Sequence, residues 1–64
     1  MRPNHLTRAA NAICEPAGIT VRYEWDMGRF GWSFYCGARV IKRIKAPRAV
    51  VGAAQGLADK EKAP

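Results

Sequence analysis

Sixty-four residues carrying a formal net charge of +6 make a single small domain, one that buries only about 60% of the surface its unfolded chain exposes. A catalytic pocket of order 300 Å³ or more would consume much of so thin a core, which sets enzyme chemistry aside in favour of binding through an exposed face. No apolar run approaches the roughly 20 residues that cross a bilayer, and two cysteines are too few for a secreted disulfide framework; the reading is a soluble, cytoplasmic protein without a signal peptide.

Residues 4–15 read as a helix. Asn4 suits the N-cap, and Leu6, Ala9, Ala10 and Ile13 recur on one helical face, opposite Arg8, Asn11 and Glu15. Pro16 blocks continuation and Ala17-Gly18 supplies the turn. Residues 19–26 alternate: Ile19, Val21, Tyr23 and Trp25 point one way, Thr20, Arg22, Glu24 and Asp26 the other, the pattern of a half-buried strand. Met27-Gly28-Arg29 gives a turn, and Gly31 allows a second bend or bulge.

A second strand, 31–36, sets Trp32, Phe34 and Cys36 on one face and Ser33 and Tyr35 on the other. Gly37 falls where a tight hairpin needs positive φ. The third strand, 38–44, has Ala38, Val40 and Ile44 as its inward set and Arg39, Ile41 and Arg43 outward. Lys42 breaks that inward parity, which predicts a bulge or an early strand end. Pro47 opens a second helix over 47–59, with Val50, Ala53, Ala54 and Leu57 as its apolar stripe. Gly52 and Gly56 are expected to let this helix approach the sheet aromatics closely, and the charged tail, 60–64, to fray. The fold class is α+β: helix, three-stranded antiparallel meander, helix, with both helices on one face of the sheet.

The charge is uneven. Between Arg29 and Arg48 lie six cations and no acid, and all six aromatics fall between Tyr23 and Tyr35. On the register above, Arg22, Tyr35, Arg39, Ile41 and Arg43 share the face left open by the helices, a basic sheet with an aromatic for stacking. Lys42, Arg43, Lys45 and Arg48 surround the start of the last helix, whose free amides favour an anion. The expected partner is DNA or RNA, or another polyanion, bound without strong sequence specificity. Arg39, Lys42, Arg43, Lys45 and Arg48 would contact phosphates, assisted by Arg22, Arg29 and Tyr35. Tyr23, Trp25, Trp32 and Phe34 are expected to build the core, since so short a chain needs large side chains there.

A different class of function uses the same surface as a protein–protein inhibitor or adaptor, against an acidic patch or with Met27, Phe30 and Ile41 as anchors. A homodimer through the Gly52–Gly56 face finds no further support in the residues. No cofactor is expected: His5, Cys14 and Cys36 are the only Cys and His residues, short of the four ligands of a structural zinc. Both cysteines read as small buried hydrophobes.

The element order resembles that of the double-stranded RNA-binding domain, and Lys42-Arg43-Ile44-Lys45-Ala46-Pro47-Arg48 is loosely similar to that family's lysine cluster at the start of its last helix. The family's longer strands and glycine-rich loop are missing, and most of the charges here precede Pro47. The resemblance is one of topology rather than motif. In being short, self-contained and free of catalytic motifs, the chain is also similar to small accessory proteins of phages and mobile elements, inhibitors of CRISPR complexes among them.

Overall fold

A computed structural model describes residues 3–62. Helix α1 (Pro3–Cys14) passes through a 3-10 turn, Glu15–Ala17, into strand β1 (Ile19–Asp26); β2 (Arg29–Cys36), β3 (Arg39–Ile44) and helix α2 (Pro47–Lys62) follow. The sheet order is β1-β2-β3, both pairings antiparallel. This is the α+β architecture expected from the sequence.

Local chemistry sets the boundaries. Helix α1 starts at Pro3, one position earlier than expected, so Asn4 lies inside the helix rather than capping it. Gly18, at φ 76°, turns the chain out of the 3-10 segment and donates its N–H to the Glu15 carbonyl at 2.9 Å. The β1–β2 turn is two residues long, Met27 (φ 51°) and Gly28 (φ 89°), the doubly left-handed loop that matches strand twist. Arg29 therefore belongs to β2, not to the turn. Helix α2 runs to Lys62, three residues past the expected end at 59; Ala63 and Pro64 lie outside the described residues.

Leu6, Ala10 and Cys14 of α1 and Val50 and Ala54 of α2 pack with Ile19, Val21, Trp32 and Phe34, all buried in one cluster. Both helices therefore cover the same face of the sheet. Ala9, expected in the α1 stripe, is exposed, and Cys14 is buried there instead. Gly52 and Gly56 do not let α2 approach the sheet as expected, since an added Cβ at either would meet nothing within 4 Å; the small residues fully buried in the core are Ala10 and Ala54.

Two of the expected core aromatics are not in the core. Trp32 and Phe34 are buried, but Tyr23 is 40% and Trp25 62% exposed. Their parity is that of Ile19 and Val21, yet the β1–β2 hairpin runs on past the part that the helices cover. β3 also stops short of it: its pairing with β2 spans Trp32 to Cys36, leaving Arg29–Gly31 paired to β1 alone.

The third strand carries the expected bulge. Phe34 pairs with Lys42 but Tyr35 pairs with Val40, so Ile41 is an extra residue. The side-chain phase reverses there. Ile41 and Ile44 both pack against the core, Val40 stands opposite Tyr35 on the open face, and Arg39 stands opposite Cys36. The expectation of Arg39 and Ile41 on the open face is thus corrected, while Arg43, opposite Ser33, is on it.

Candidate functional site

The open face of the sheet is a closed electrostatic network. Arg43 donates to the Ser33 hydroxyl at 3.0 Å and lies 3.6 Å from the Glu24 carboxylate and 3.5 Å from that of Asp26. The Tyr35 hydroxyl donates to Glu24, and the Arg22 guanidinium sits over the Tyr35 ring, 5.8 Å from its centroid. The hydrogen bond from Tyr35, and after it one from Ser33, holds the Glu24 carboxyl below its ordinary range. The same bond raises the Tyr35 hydroxyl above its ordinary range.

Lys45 completes the network from beyond the end of β3. Its ammonium donates to the Asp26 carbonyl at 2.6 Å, to the Asp26 carboxylate at 3.1 Å and to the Arg29 carbonyl at 3.5 Å. Gly31 makes the crossing possible. A Cβ there would come within 2.8 Å of both Lys45 Cδ and the Ile44 carbonyl oxygen. Gly31 is therefore a site of close approach rather than the bend expected from the sequence.

Four of the eight expected anion-binding residues, Arg22, Tyr35, Arg43 and Lys45, are thus engaged with one another or with the acids of β1. The other four, Arg29, Arg39, Lys42 and Arg48, are exposed and form no ion pair among the described residues. Arg39 and Lys42 stand on β3, the outer edge of the sheet, and Arg48 is the second residue of α2. Lys42 is exposed although it pairs with the fully buried Phe34, because nothing in the sheet lies outside β3. The first turn of α2 contains no acid. Arg29 lies apart, closing the β1–β2 hairpin opposite Asp26.

A second surface, joining the expected core residues Tyr23 and Trp25 to the expected anchors Met27 and Phe30, lies at the far end of that hairpin. Tyr23 stacks on Phe30 at 5.2 Å between centroids, Trp25 meets Phe30 edge-on at 5.3 Å, and Tyr23 meets Trp32 at 4.9 Å. Phe30 is 51% and Met27 89% exposed. Of the three expected protein anchors, Met27 and Phe30 are accessible, whereas Ile41 is half-buried against the core.

Sequence reasoning missed Asn11. Its side-chain amide donates to the Val21 carbonyl at 2.9 Å and accepts from the Val21 N–H at 2.7 Å, closing one position of the β1 edge. Its place on the polar side of α1 marked it only as a solvated residue. Trp32 is held in a similar way, donating its indole N–H to the Thr7 hydroxyl at 3.0 Å. Cys14 is buried and Cys36 exposed, both as free thiols, so only Cys14 is the buried hydrophobe expected. Burial raises the Cys14 thiol above its ordinary range. Among the described residues, no three His, Cys, Asp or Glu side chains gather as a metal site requires, and no helix is long and apolar enough to cross a membrane.

No protein-family model, curated protein or solved structure matches the chain.

Proposed function

We propose that the protein is a non-enzymatic binding module that holds a polyanion, in the first place the phosphate backbone of a nucleic acid, along its β3 edge and the start of α2. One observation carries this reading. The acids of the sheet, Glu24 and Asp26, are occupied by Arg43, Lys45 and Tyr35, so Arg39, Lys42 and Arg48 face solvent without an acidic partner among the described residues. Binding would rest on charge neutralisation and counterion release, with little base discrimination and a steep dependence on salt. With such a partner the protein would act in the cytoplasm.

The test is fluorescence anisotropy with labelled single- and double-stranded DNA and RNA at about 50 and 200 mM salt, where phosphate contacts weaken most visibly. Micromolar or tighter binding at the lower salt that collapses at the higher supports the reading; no binding at the lower salt rejects it. The uncovered aromatics favour a second reading, a protein-docking inhibitor or adaptor of the phage accessory type. In that case Met27 and Phe30, rather than the β3 cations, would carry the affinity.

A further inference from the structure

The β1 edge is only partly closed. The two-residue turn closes on the pair Asp26 and Arg29, and ladder bonds alternate along an antiparallel pair. Thr20, Arg22, Glu24 and Asp26 therefore direct their backbone groups toward β2, while Ile19, Val21, Tyr23 and Trp25 direct theirs outward. The two bonds between Asn11 and Val21 fit that phase. Asn11 covers Val21 alone. The outward N–H and C=O groups of Tyr23 and Trp25 have no partner among the described residues, and they sit beside the exposed rings of the same two residues. Natural sheet edges are commonly blunted by Pro or Lys; between Ile19 and Asp26 there is neither.

We propose that this segment is a self-association surface, in which two copies pair their β1 edges antiparallel about a two-fold axis at Glu24 and join their sheets. The register follows from the open positions. Setting Tyr23 opposite Trp25 of the second copy, and the reverse, pairs the outward N–H and C=O groups of both residues. A slip in one direction brings in Val21, already held by Asn11; a slip in the other brings in Met27, in the turn at φ 51°.

Both faces of the joined sheet suit this register. On the helix side, Tyr23, Trp25 and Phe30 of the two copies form one aromatic cluster and cover the surface that neither helix reaches. On the open side, Arg22 stands opposite Asp26 of the second copy. Glu24 meets its own counterpart, but each Glu24 carboxylate is already held by Tyr35 and Arg43. The inference goes beyond polyanion binding, which uses the opposite edge, β3, and stands or falls separately from it.

Sedimentation velocity on the full chain over a range of concentrations tests it, alongside Trp25→Lys and Tyr23→Pro. The expected result is a reversible species of twice the 7.1 kDa monomer mass. Trp25→Lys should weaken its dimerisation by about 30-fold or more, the loss typical of a central aromatic anchor. Tyr23→Pro, which removes one outward N–H, should weaken it likewise. Trp25 is 62% exposed, so Trp25→Lys keeps its fold, as circular dichroism checks, and carries the test alone if Tyr23→Pro fails to fold. Hydrogen exchange should find the Tyr23 and Trp25 amides protected in concentrated wild type and unprotected in Trp25→Lys. A wild type that stays monomeric at millimolar concentration overturns the proposal. So does a dimer indifferent to Trp25→Lys, or one in which those two amides exchange freely.

Discussion

Lys45 lies across Gly31. The lysine stem occupies the space where any other residue would carry its Cβ, and the ammonium reaches Asp26 on the far strand. A methyl group at position 31 would press on the Ile44 carbonyl, which is backbone and cannot rotate away. Gly31→Ala should therefore destabilise the fold by about 1–3 kcal/mol, as overpacking commonly does. Urea denaturation measures this directly. An unchanged midpoint would mean that the Ile44 carbonyl does not approach Gly31 this closely in solution.

The Tyr35–Glu24 hydrogen bond should limit stability at both ends of the pH scale. Glu24 is held below its ordinary range, so its contribution is present above that range and is lost as pH falls through the folded-state value. Tyr35 is raised, so its contribution is present below the ordinary tyrosine range and is lost as pH rises through the folded-state value. Glu24→Gln should flatten the acid limb, leaving the stability gap between variant and wild type smaller in acid than at neutral pH. Denaturant midpoints across the pH range would show it; a gap that stays constant would remove the carboxylate from this role.

Asn11→Ala should lower stability by about 1–2 kcal/mol, because two backbone groups lose a half-buried partner. In a domain of this size that corresponds to a fall in Tm on the order of 10 °C. A loss well under this would show that water serves the Val21 edge as well as the amide does.

These residues also mark where sequence reading reaches and where it stops. Alternation along β1 told which side chains share a face, and it did so for Tyr23 and Trp25 as well as for Ile19 and Val21. It could not tell how far the helical layer extends, which is a property of the packed structure. Hence two aromatics assigned to the core are on the surface. Lys42 did signal the bulge by breaking parity, but the phase of the extra residue depends on Ile41 and Ile44 both reaching the core. Cation clustering was legible in the sequence. Their internal pairing was not, because Glu24 and Asp26 meet Arg43 and Lys45 only once the strands are in register.

That pairing decides which cations to remove. Arg43→Ala or Lys45→Ala would strip Glu24 or Asp26 of its counter-charge and confound binding with stability. Arg39→Ala, Lys42→Ala and Arg48→Ala should each leave the fold within about 0.5 kcal/mol of wild type, as exposed substitutions usually do. Combined, they should weaken nucleic-acid binding for every sequence tested, with the salt slope falling by about one for each phosphate that is no longer neutralised. Salt titration of the triple variant checks this, with Lys60→Ala as the control that should bind normally. A triple variant with an unaltered slope would move the site away from the β3 edge.

The two thiols should differ in reactivity. Cys36 is exposed, whereas Cys14 is buried, its thiol raised by burial and directed at the Ala54 carbonyl at 3.6 Å. Iodoacetamide followed by mass spectrometry should give a single adduct on the native protein, at Cys36, and a second only in denaturant. Rapid native labelling of Cys14 would contradict its place between the helices.

The extra residue at Ile41 gives β3 two reading frames. On one side of it the chain presents Arg39 and Val40 in one phase, and on the other Lys42 through Ile44 in the opposite phase. Losing one codon at this point would bring the strand into a single unbroken alternation, with Val40 still opposite Tyr35 and Arg39 still opposite Cys36. The bulge therefore lets the strand carry one residue more without moving any of its cations to the other surface. Homologues shorter by this one residue would be expected to display their cations on the same faces of the same fold.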